Sequence, residues 1–167
     1  WLIVPVVAAL WEEFDRSMDS KAAVAFLKGR GIEYENRPTE DRKGYANSIR
    51  LDLTASVNAS ALRQVSVRGT VAENTIMISR INDFDKLYFE PRGHTVFFQY
   101  RDRPGVIGRI GAALADANIN IEDVRHSHHL PSDQSLAIFK VNKPLPDALV
   151  QQIRATINAS MAFALTL

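Results

Sequence analysis

The stretch "YRDRPGVIGRIGAALADANINIEDVRH", Tyr100–His126, contains the end of a strand, a turn, a helix and the start of a second strand. Apolar residues recur at the spacing of a helix that buries one face, at Ile107, Ile110 and Leu114. Pro104 suits the first turn of this helix, because proline lacks an N–H that a helix leaves unpaired there. The stretch therefore predicts a strand–helix–strand unit, with an acidic residue, Asp102, immediately before the turn.

The flanking segments complete a longer pattern. Strands are predicted at "HTVFFQY", "INIEDVRH", "SLAIFKV" and "SMAFALTL", and the first, third and fourth of these place apolar residues at every second position. "PLPDALVQQIRATI" has the spacing of a second helix. The order βαββαβ is that of a ferredoxin-like module, predicted at residues 93–167. RNA-recognition modules share this order but need basic and aromatic side chains on their central strands. Because "SLAIFKV" offers one Phe and one Lys, the pattern disfavours RNA binding.

Residues 1–92 show a different pattern, which indicates a separate domain with a boundary near Arg92-Gly93. The segment "WLIVPVVAALW" is too short for a membrane span, which needs about 20 residues, so it predicts a core or interface helix. A second helix closes at "KGRG". Strands are predicted at residues 32–37, 48–57, 62–72, 75–81 and 86–90. The predicted fold class is α+β, a helix-plus-antiparallel-sheet domain at 1–92 followed by the ferredoxin-like module.

Composition and motifs narrow the functional classes. The net charge of +1 gives no general attraction to nucleic acid or to an anionic membrane. Cysteine is absent, which excludes disulfides and thiolate chemistry and is compatible with the cytosol. The chain shows no nucleophile elbow, and "GVIGRIG" lacks the spacing of a dinucleotide fingerprint. Because no catalytic set of residues is apparent, we expect no catalytic activity of this chain alone. The chain begins at Trp1 rather than Met, so we expect a fragment.

"YRDRPGVIGRIGAALADANINIEDV" resembles the first half of an ACT domain, a small amino-acid-sensing module, and the resemblance extends from His94 to Leu167. Residues 1–92, through "FLKGRGIEYENRPTEDRKGYANSIRLDL" and "VSVRGTV", resemble the allosteric-substrate-binding domain that precedes the ACT domain in long-form D-3-phosphoglycerate dehydrogenases. Some iron–sulfur serine dehydratases carry a similar pair of domains. The resemblance implies a cytoplasmic regulatory fragment without a cofactor, whose parent enzyme uses NAD in catalytic domains absent from this chain.

The resemblance also implies an amino-acid site. ACT domains that bind serine hold it between adjacent subunits, with the residue before R-P-G and the Asn of "NIN"; these roles fall on Asp102 and Asn120. A helix N-terminus suits the ligand's carboxylate, and an acidic side chain suits its ammonium group. We expect L-serine or another small amino acid, and self-association through the edge strands of the ACT domain. The predicted effector-binding residues are Tyr100, Asp102, Arg103, Pro104, Gly105, Val106, Ile107, Gly108, Asn120 and Ile121.

Structural alternatives remain open for these residues. Asp102 caps the helix in one interpretation, Asn120 is a strand-edge or turn residue, and Gly105 and Gly108 serve tight packing. For the whole chain, the alternatives are an oligomerisation module that binds no small molecule and the regulatory part of a serine dehydratase. The apolar segment at residues 1–11 favours the oligomerisation module, because it suits an interface.

Two further clusters carry weaker signals. The segment "NRPTEDRKGYANSIR" predicts either an anion site or a solvated loop with internal ion pairs, and its candidate anion-binding residues are Arg37, Arg42, Lys43 and Arg50. The histidines of "RHSHHLP" include one pair at i and i+2, His126 and His128, a spacing that can meet a metal. Because a single carboxylate, Asp133, lies just beyond them at a hairpin end, we predict no metal site.

Overall fold

The computed structural model describes residues 2–37, 48–58 and 61–167. The chain divides into two compact units, residues 1–44 and 45–167. The boundary predicted near Arg92-Gly93 lies inside the second unit, between its two sheets, so the assignment of residues 1–92 to one domain stays a prediction. Within the described ranges, no helix has the length and apolar character needed to cross a bilayer.

The described residues of the first unit form two helices, α1 (Ile3–Leu10) and α2 (Ser20–Gly29). The helix predicted in the apolar opening segment is confirmed, and so is the end of α2 at "KGRG". The Asp19 side chain accepts a hydrogen bond of 2.8 Å from the Ala22 N–H and so caps the start of α2. Buried residues of the two helices and of the segment between them form one cluster, consisting of Ile3, Val7, Ala8, Phe14, Ala23 and Leu27.

The strand predicted at residues 32–37 is wrong. These residues have no regular secondary structure and are exposed. The Ile32 N–H donates to the Leu27 carbonyl at 3.0 Å, so the chain leaving α2 bonds back to the helix instead of entering a sheet. Alternation in this segment extends only to Ile32 and Tyr34, too few apolar side chains to specify a buried face.

The second unit begins with an antiparallel sheet in the order β1-β2-β3-β4. Its strands are β1 (Ser48–Asn58), β2 (Ala61–Ala72), β3 (Thr75–Ile81) and β4 (Phe84–Phe89). Glu73 and Asn74 have φ angles of 49° and 61°, which form a tight two-residue connection between β2 and β3. The four strands predicted after residue 47 are confirmed, although β4 starts two residues before the predicted Lys86.

The ferredoxin-like order βαββαβ and the α+β fold class are confirmed. The second sheet has the order β6-β7-β5-β8, with all neighbours antiparallel, and β6 and β8 at its edges. Its elements are β5 (His94–Arg101), α3 (Val106–Asp116), β6 (Ile121–His129), β7 (Gln134–Val141), α4 (Asp147–Thr156) and β8 (Met161–Thr166).

Both faces of the second sheet are buried in its centre. One face packs against α3 and α4 through side chains that include Phe98, Phe139 and Ile110. The other packs against the first sheet, where Phe97 contacts Phe89 of β4 at 5.9 Å between ring centroids. The nearly continuous apolar runs of β5 and β7 are typical of strands buried on both sides. The second sheet is therefore a layer packed on both faces that positions the end of β5 and the start of α3.

Candidate functional site

The turn after β5 leads into α3, whose N-terminus has no side-chain cap. Gly105 has a φ of 85°, a left-handed value that favours glycine, and α3 begins immediately after it. Pro104 therefore precedes the helix, and its predicted place in the first helical turn is wrong. No side chain of the described chain caps this N-terminus. Because the first turn of a helix leaves N–H groups without intrahelical partners, this end carries a partial positive charge and suits an anion.

Asp102 does not cap the helix, so the capping interpretation is wrong. Its Oδ1 accepts a hydrogen bond of 2.8 Å from the Ser135 hydroxyl, and its N–H donates to the Asp133 carbonyl at 3.0 Å. Ser135 is fully buried, whereas the Asp102 side chain is 38% exposed. The buried hydroxyl thus fixes the orientation of a carboxylate that still faces solvent.

His126 and Ser135 are neighbours of Asp102 that the sequence did not reveal as such. His126 Nε2 lies 4.0 Å from Asp102 Oδ1, so a protonated imidazole would form an ion pair there. The two residues lie 24 and 33 positions further along the chain. They approach Asp102 because Tyr100 pairs with Ser135 across β5 and β7, and His126 lies on the adjacent β6. The proximity of these two residues to Asp102 depends on the pairing register of the strands, which local sequence patterns do not show.

Tyr100 is 1% exposed and packs in the core beneath the turn. Burial, and secondly the charge of Asp102, raise the pKa of the Tyr100 phenol to about 12. The phenol therefore stays protonated at neutral pH, and its ring lies 6.4 Å from the His126 ring between centroids. Its predicted place in the lining of a ligand pocket stays a prediction.

Arg103 holds the turn in place. Its guanidinium donates to the Arg101 carbonyl at 3.2 Å and to the Ile157 carbonyl at the end of α4. Val106 is buried below the turn, and Ile107 is 37% exposed at the start of α3. The contacts of Arg103 thus fix where α3 begins relative to α4.

Gly108 leaves open space on the first turns of α3. A Cβ built at Gly105 or at Gly108 would meet no other atom of the structure within 4 Å. The tight-packing interpretation of these two glycines is therefore wrong for contacts within the described residues. Gly105 is explained by its left-handed backbone, whereas Gly108 keeps the helix surface accessible from outside.

Asn120 and Ile121 lie at the start of β6. The Asn120 N–H donates to the Asn142 side chain at 3.0 Å, and its carbonyl accepts from the Asn142 N–H at 3.1 Å. The exposed Asn120 side chain makes no hydrogen bond to any residue that the structure describes. Ile121 is half-buried and approaches Gly111 of α3. The Asn120 backbone is thus held in place by Asn142, while its side-chain amide is exposed and can donate and accept hydrogen bonds.

A single subunit does not bring Asp102 and Asn120 together. Ile121 pairs with Val141 at one end of β7, whereas the Asp102 partner Ser135 lies near the other end. Six residues of strand separate these positions, roughly 20 Å at the rise of a β-strand. The two predicted ligand groups therefore lie at opposite ends of the second sheet.

The four residues of the predicted anion site are only partly among the described residues. Arg42 and Lys43 lie outside them. Arg37 pairs with Glu35 at 2.6 Å in the first unit, and Arg50 pairs with Asp52 at 2.7 Å in the second. An anion site built from this segment stays a prediction.

In the described ranges, no group of His, Asp and Glu side chains has the arrangement of a metal site. His126 and His128 face Asp102 and Asp133 respectively, at 4.0 and 3.8 Å.

Comparison with known proteins assigns part of the chain to a family. Residues 94–158 match the ACT domain family. The chain is 27% identical over 144 residues to D-3-phosphoglycerate dehydrogenase of Bacillus subtilis (strain 168), covering 83% of this chain and 26% of that protein. It is 26% identical over 141 residues to the D-3-phosphoglycerate dehydrogenase of Synechocystis sp., covering 84% of this chain and 24% of that protein. The chain thus spans about a quarter of the length of these relatives.

Among solved structures, a formyltetrahydrofolate deformylase from Pseudomonas syringae pv. tomato matches 47% of this chain and 29% of its own, with 16% identity and a TM-score of 0.39.

Proposed function

We propose that this chain is a regulatory fragment of a D-3-phosphoglycerate dehydrogenase and that the fragment binds an amino-acid effector. The proposal rests on the ACT domain match of residues 94–158 and on the similarity of the chain to part of these enzymes. The proposed effector is L-serine, in allosteric feedback on serine biosynthesis. The proposed parent enzyme is an NAD-dependent oxidoreductase of the cytoplasm, with its catalytic domains outside this chain.

The observation that carries the proposal is the environment of Asp102. Its carboxylate is held by a buried hydroxyl, remains partly exposed and lies just before the uncapped N-terminus of α3. An amino acid carries a carboxylate and an ammonium group on one carbon. The helix end suits the first of these groups, and Asp102 accepts a charge-assisted hydrogen bond from the second.

The separation of Asp102 and Asn120 favours a site shared by two copies of the chain. β6 is an edge strand, and edge strands offer unpaired backbone groups to a second strand. In a twofold dimer, two β6 strands pair antiparallel, so the start of one lies beside the end of the other. This arrangement brings Asn120 of one copy towards Asp102 of its partner. Ligand binding across the interface would then stabilise one assembly state.

Calorimetric titration of the chain with L-serine, glycine and L-alanine tests this function. We expect saturable binding of L-serine and a lower affinity for L-alanine, because the loss of a hydroxyl leaves polar groups of the site unpaired. Absence of binding by all three amino acids at concentrations where the chain is dimeric would contradict the proposal. That result would favour an assembly module without a ligand.

The open surface at Gly108 supplies a second test. We expect Gly108→Ala to raise the free energy of unfolding by up to about 1 kcal/mol, because alanine has the higher helix propensity. The added methyl group should nevertheless weaken L-serine binding by about tenfold, about 1.4 kcal/mol, since it enters the space beside the helix N-terminus. Thermal melts and calorimetry of the same preparation measure both quantities.

Gly29→Ala in α2 is the matched control, because a Cβ there also meets open space in a helix. It should leave L-serine affinity unchanged. Unchanged affinity in Gly108→Ala as well would show that the ligand does not approach this part of α3.

A further inference from the structure

A histidine of the edge strand β6 faces the carboxylate on which the proposed amino-acid site depends. His126 Nε2 lies 4.0 Å from Asp102 Oδ1, too far for a hydrogen bond but close enough for an ion pair. Both side chains are 38% exposed, so solvent reaches both of them. A neutral imidazole therefore leaves the charge of Asp102 uncompensated, whereas a protonated imidazole places a positive charge beside it.

The two carboxylate oxygens of Asp102 have different surroundings. Oδ1 accepts a hydrogen bond of 2.8 Å from the Ser135 hydroxyl and faces His126, whereas Oδ2 receives no hydrogen bond from the part of the chain that the structure describes. Oδ2 is therefore the oxygen available to the ammonium group of an amino acid. Because both oxygens share one negative charge, a cation beside Oδ1 weakens the attraction of Oδ2 for a second cation.

The titratable groups nearest to His126 on the second sheet do not take the place of this carboxylate. Tyr100 lies 6.4 Å from His126 between ring centroids, and burial raises the pKa of its phenol to about 12, so it stays neutral. Asp133 pairs with Arg101 at 2.9 Å and lies 3.8 Å from His128, so its charge already has partners.

The remaining charged groups around β6 form no ion pair with the imidazole. Arg125 and Asp123 pair with each other at 2.9 Å. β4 contacts the face of β6 that carries His129, whereas His126 lies on the other face, level with Ala137. The other charged residues of β6 and of its neighbours β4, β7 and α3 are Glu122, Asp85, Lys86, Lys140, Arg109 and Asp116. Within the described ranges, the carboxylate of Asp102 is thus the one within ion-pair distance of His126.

We propose that His126 regulates the amino-acid site, because its protonated imidazole competes with the ammonium group of the ligand for Asp102. This inference rests on the proposed function, since it concerns the same site. An amino acid that places its ammonium group at Asp102 displaces the proton from Nε2 into solvent, and its affinity rises as the imidazole becomes neutral. Proton and ligand oppose each other reciprocally. Imidazoles titrate between about pH 5 and about pH 8, so the competition acts near neutral pH.

Calorimetric titration of the 167-residue chain with L-serine at about pH 7.5 and about pH 5.5 tests the proposal, at concentrations where the chain is dimeric at both. A free amino acid keeps both of its charges throughout this range. We expect L-serine to bind about fivefold more weakly at the lower pH, within the strength of a partly exposed ion pair. Titrations in two buffers of different ionisation enthalpy measure the proton released on binding.

Two substitutions of His126 separate its charge from its presence. His126→Gln cannot take up a proton, so it should remove both the pH dependence and the proton release. His126→Lys carries a permanent positive charge beside Asp102, so it should hold the affinity near the low-pH value at both pH values. Because the side chain is partly exposed on an edge strand, we expect both variants to fold, and thermal melts check this.

His128→Gln is the matched control, because His128 lies two residues further along β6 and faces Asp133 instead of Asp102. It should keep the pH dependence and the proton release of the unmodified chain. Equal L-serine affinity at both pH values, or a pH dependence that His126→Gln retains, would overturn this proposal and leave the proposed function standing. No binding of L-serine at either pH would overturn both.

Discussion

Asp102→Asn should abolish most of the L-serine affinity while the fold stays intact. The amide keeps an oxygen that accepts the hydrogen bond from Ser135, so the side chain remains oriented. It removes the negative charge that the ligand's ammonium group needs. A hydrogen bond to a charged group contributes about 2 kcal/mol, which corresponds to about 30-fold in affinity. Calorimetric titration measures the loss, and a thermal melt confirms the fold.

The control for this substitution is Asp116→Asn, which removes an exposed carboxylate at the far end of the same helix. It should leave the affinity for L-serine unchanged. If Asp102→Asn bound L-serine as tightly as the unmodified chain, Asp102 would not be the acceptor of the ammonium group. The ACT domain assignment of residues 94–158 would be unaffected by that result.

Val124→Lys should convert the proposed dimer to monomers and thereby remove L-serine binding. Val124 is 39% exposed on the edge strand β6, level with the core residue Phe139 on β7. A lysine on an edge strand opposes pairing with a second strand, and a twofold interface contains the change twice. At about 1.5 kcal/mol for each valine, dissociation should be favoured by more than about hundredfold.

Sedimentation equilibrium with and without L-serine measures this effect. Val71→Lys is the matched control, since Val71 is 52% exposed on β2 of the other sheet and lies away from the proposed interface. It should leave both assembly and binding unchanged. A Val124→Lys chain that is monomeric yet binds L-serine at full affinity would contradict a site shared between two copies.

The elements of residues 93–167 were predictable because their local patterns agree with their tertiary environment. Nearly continuous apolar runs mark β5 and β7, and helical spacing marks α3 and α4. Predictions from local sequence patterns were wrong at two places. Residues 32–37 alternate weakly and form no strand, and the left-handed backbone of Gly105 moves the start of α3 beyond Pro104.

Only part of the candidate site was predictable from the sequence. Asp102 and the glycines of α3 stand out in a short stretch of chain, so their proximity follows from local structure. The Ser135 hydroxyl and the His126 imidazole come from distant parts of the sequence. Their places depend on strand register, and a shift of one residue would turn each side chain to the other face.

The sequence by itself determined the order of strands and helices, the α+β class and the position of the turn before α3, because these depend on periodicity and on residues close together in the chain. Only the tertiary structure decided which side chains orient Asp102 and that Asp102 and Asn120 lie at opposite ends of one sheet. Each of these depends on pairing between strands remote in sequence, and such pairing is selected by the burial of whole faces rather than by any local pattern.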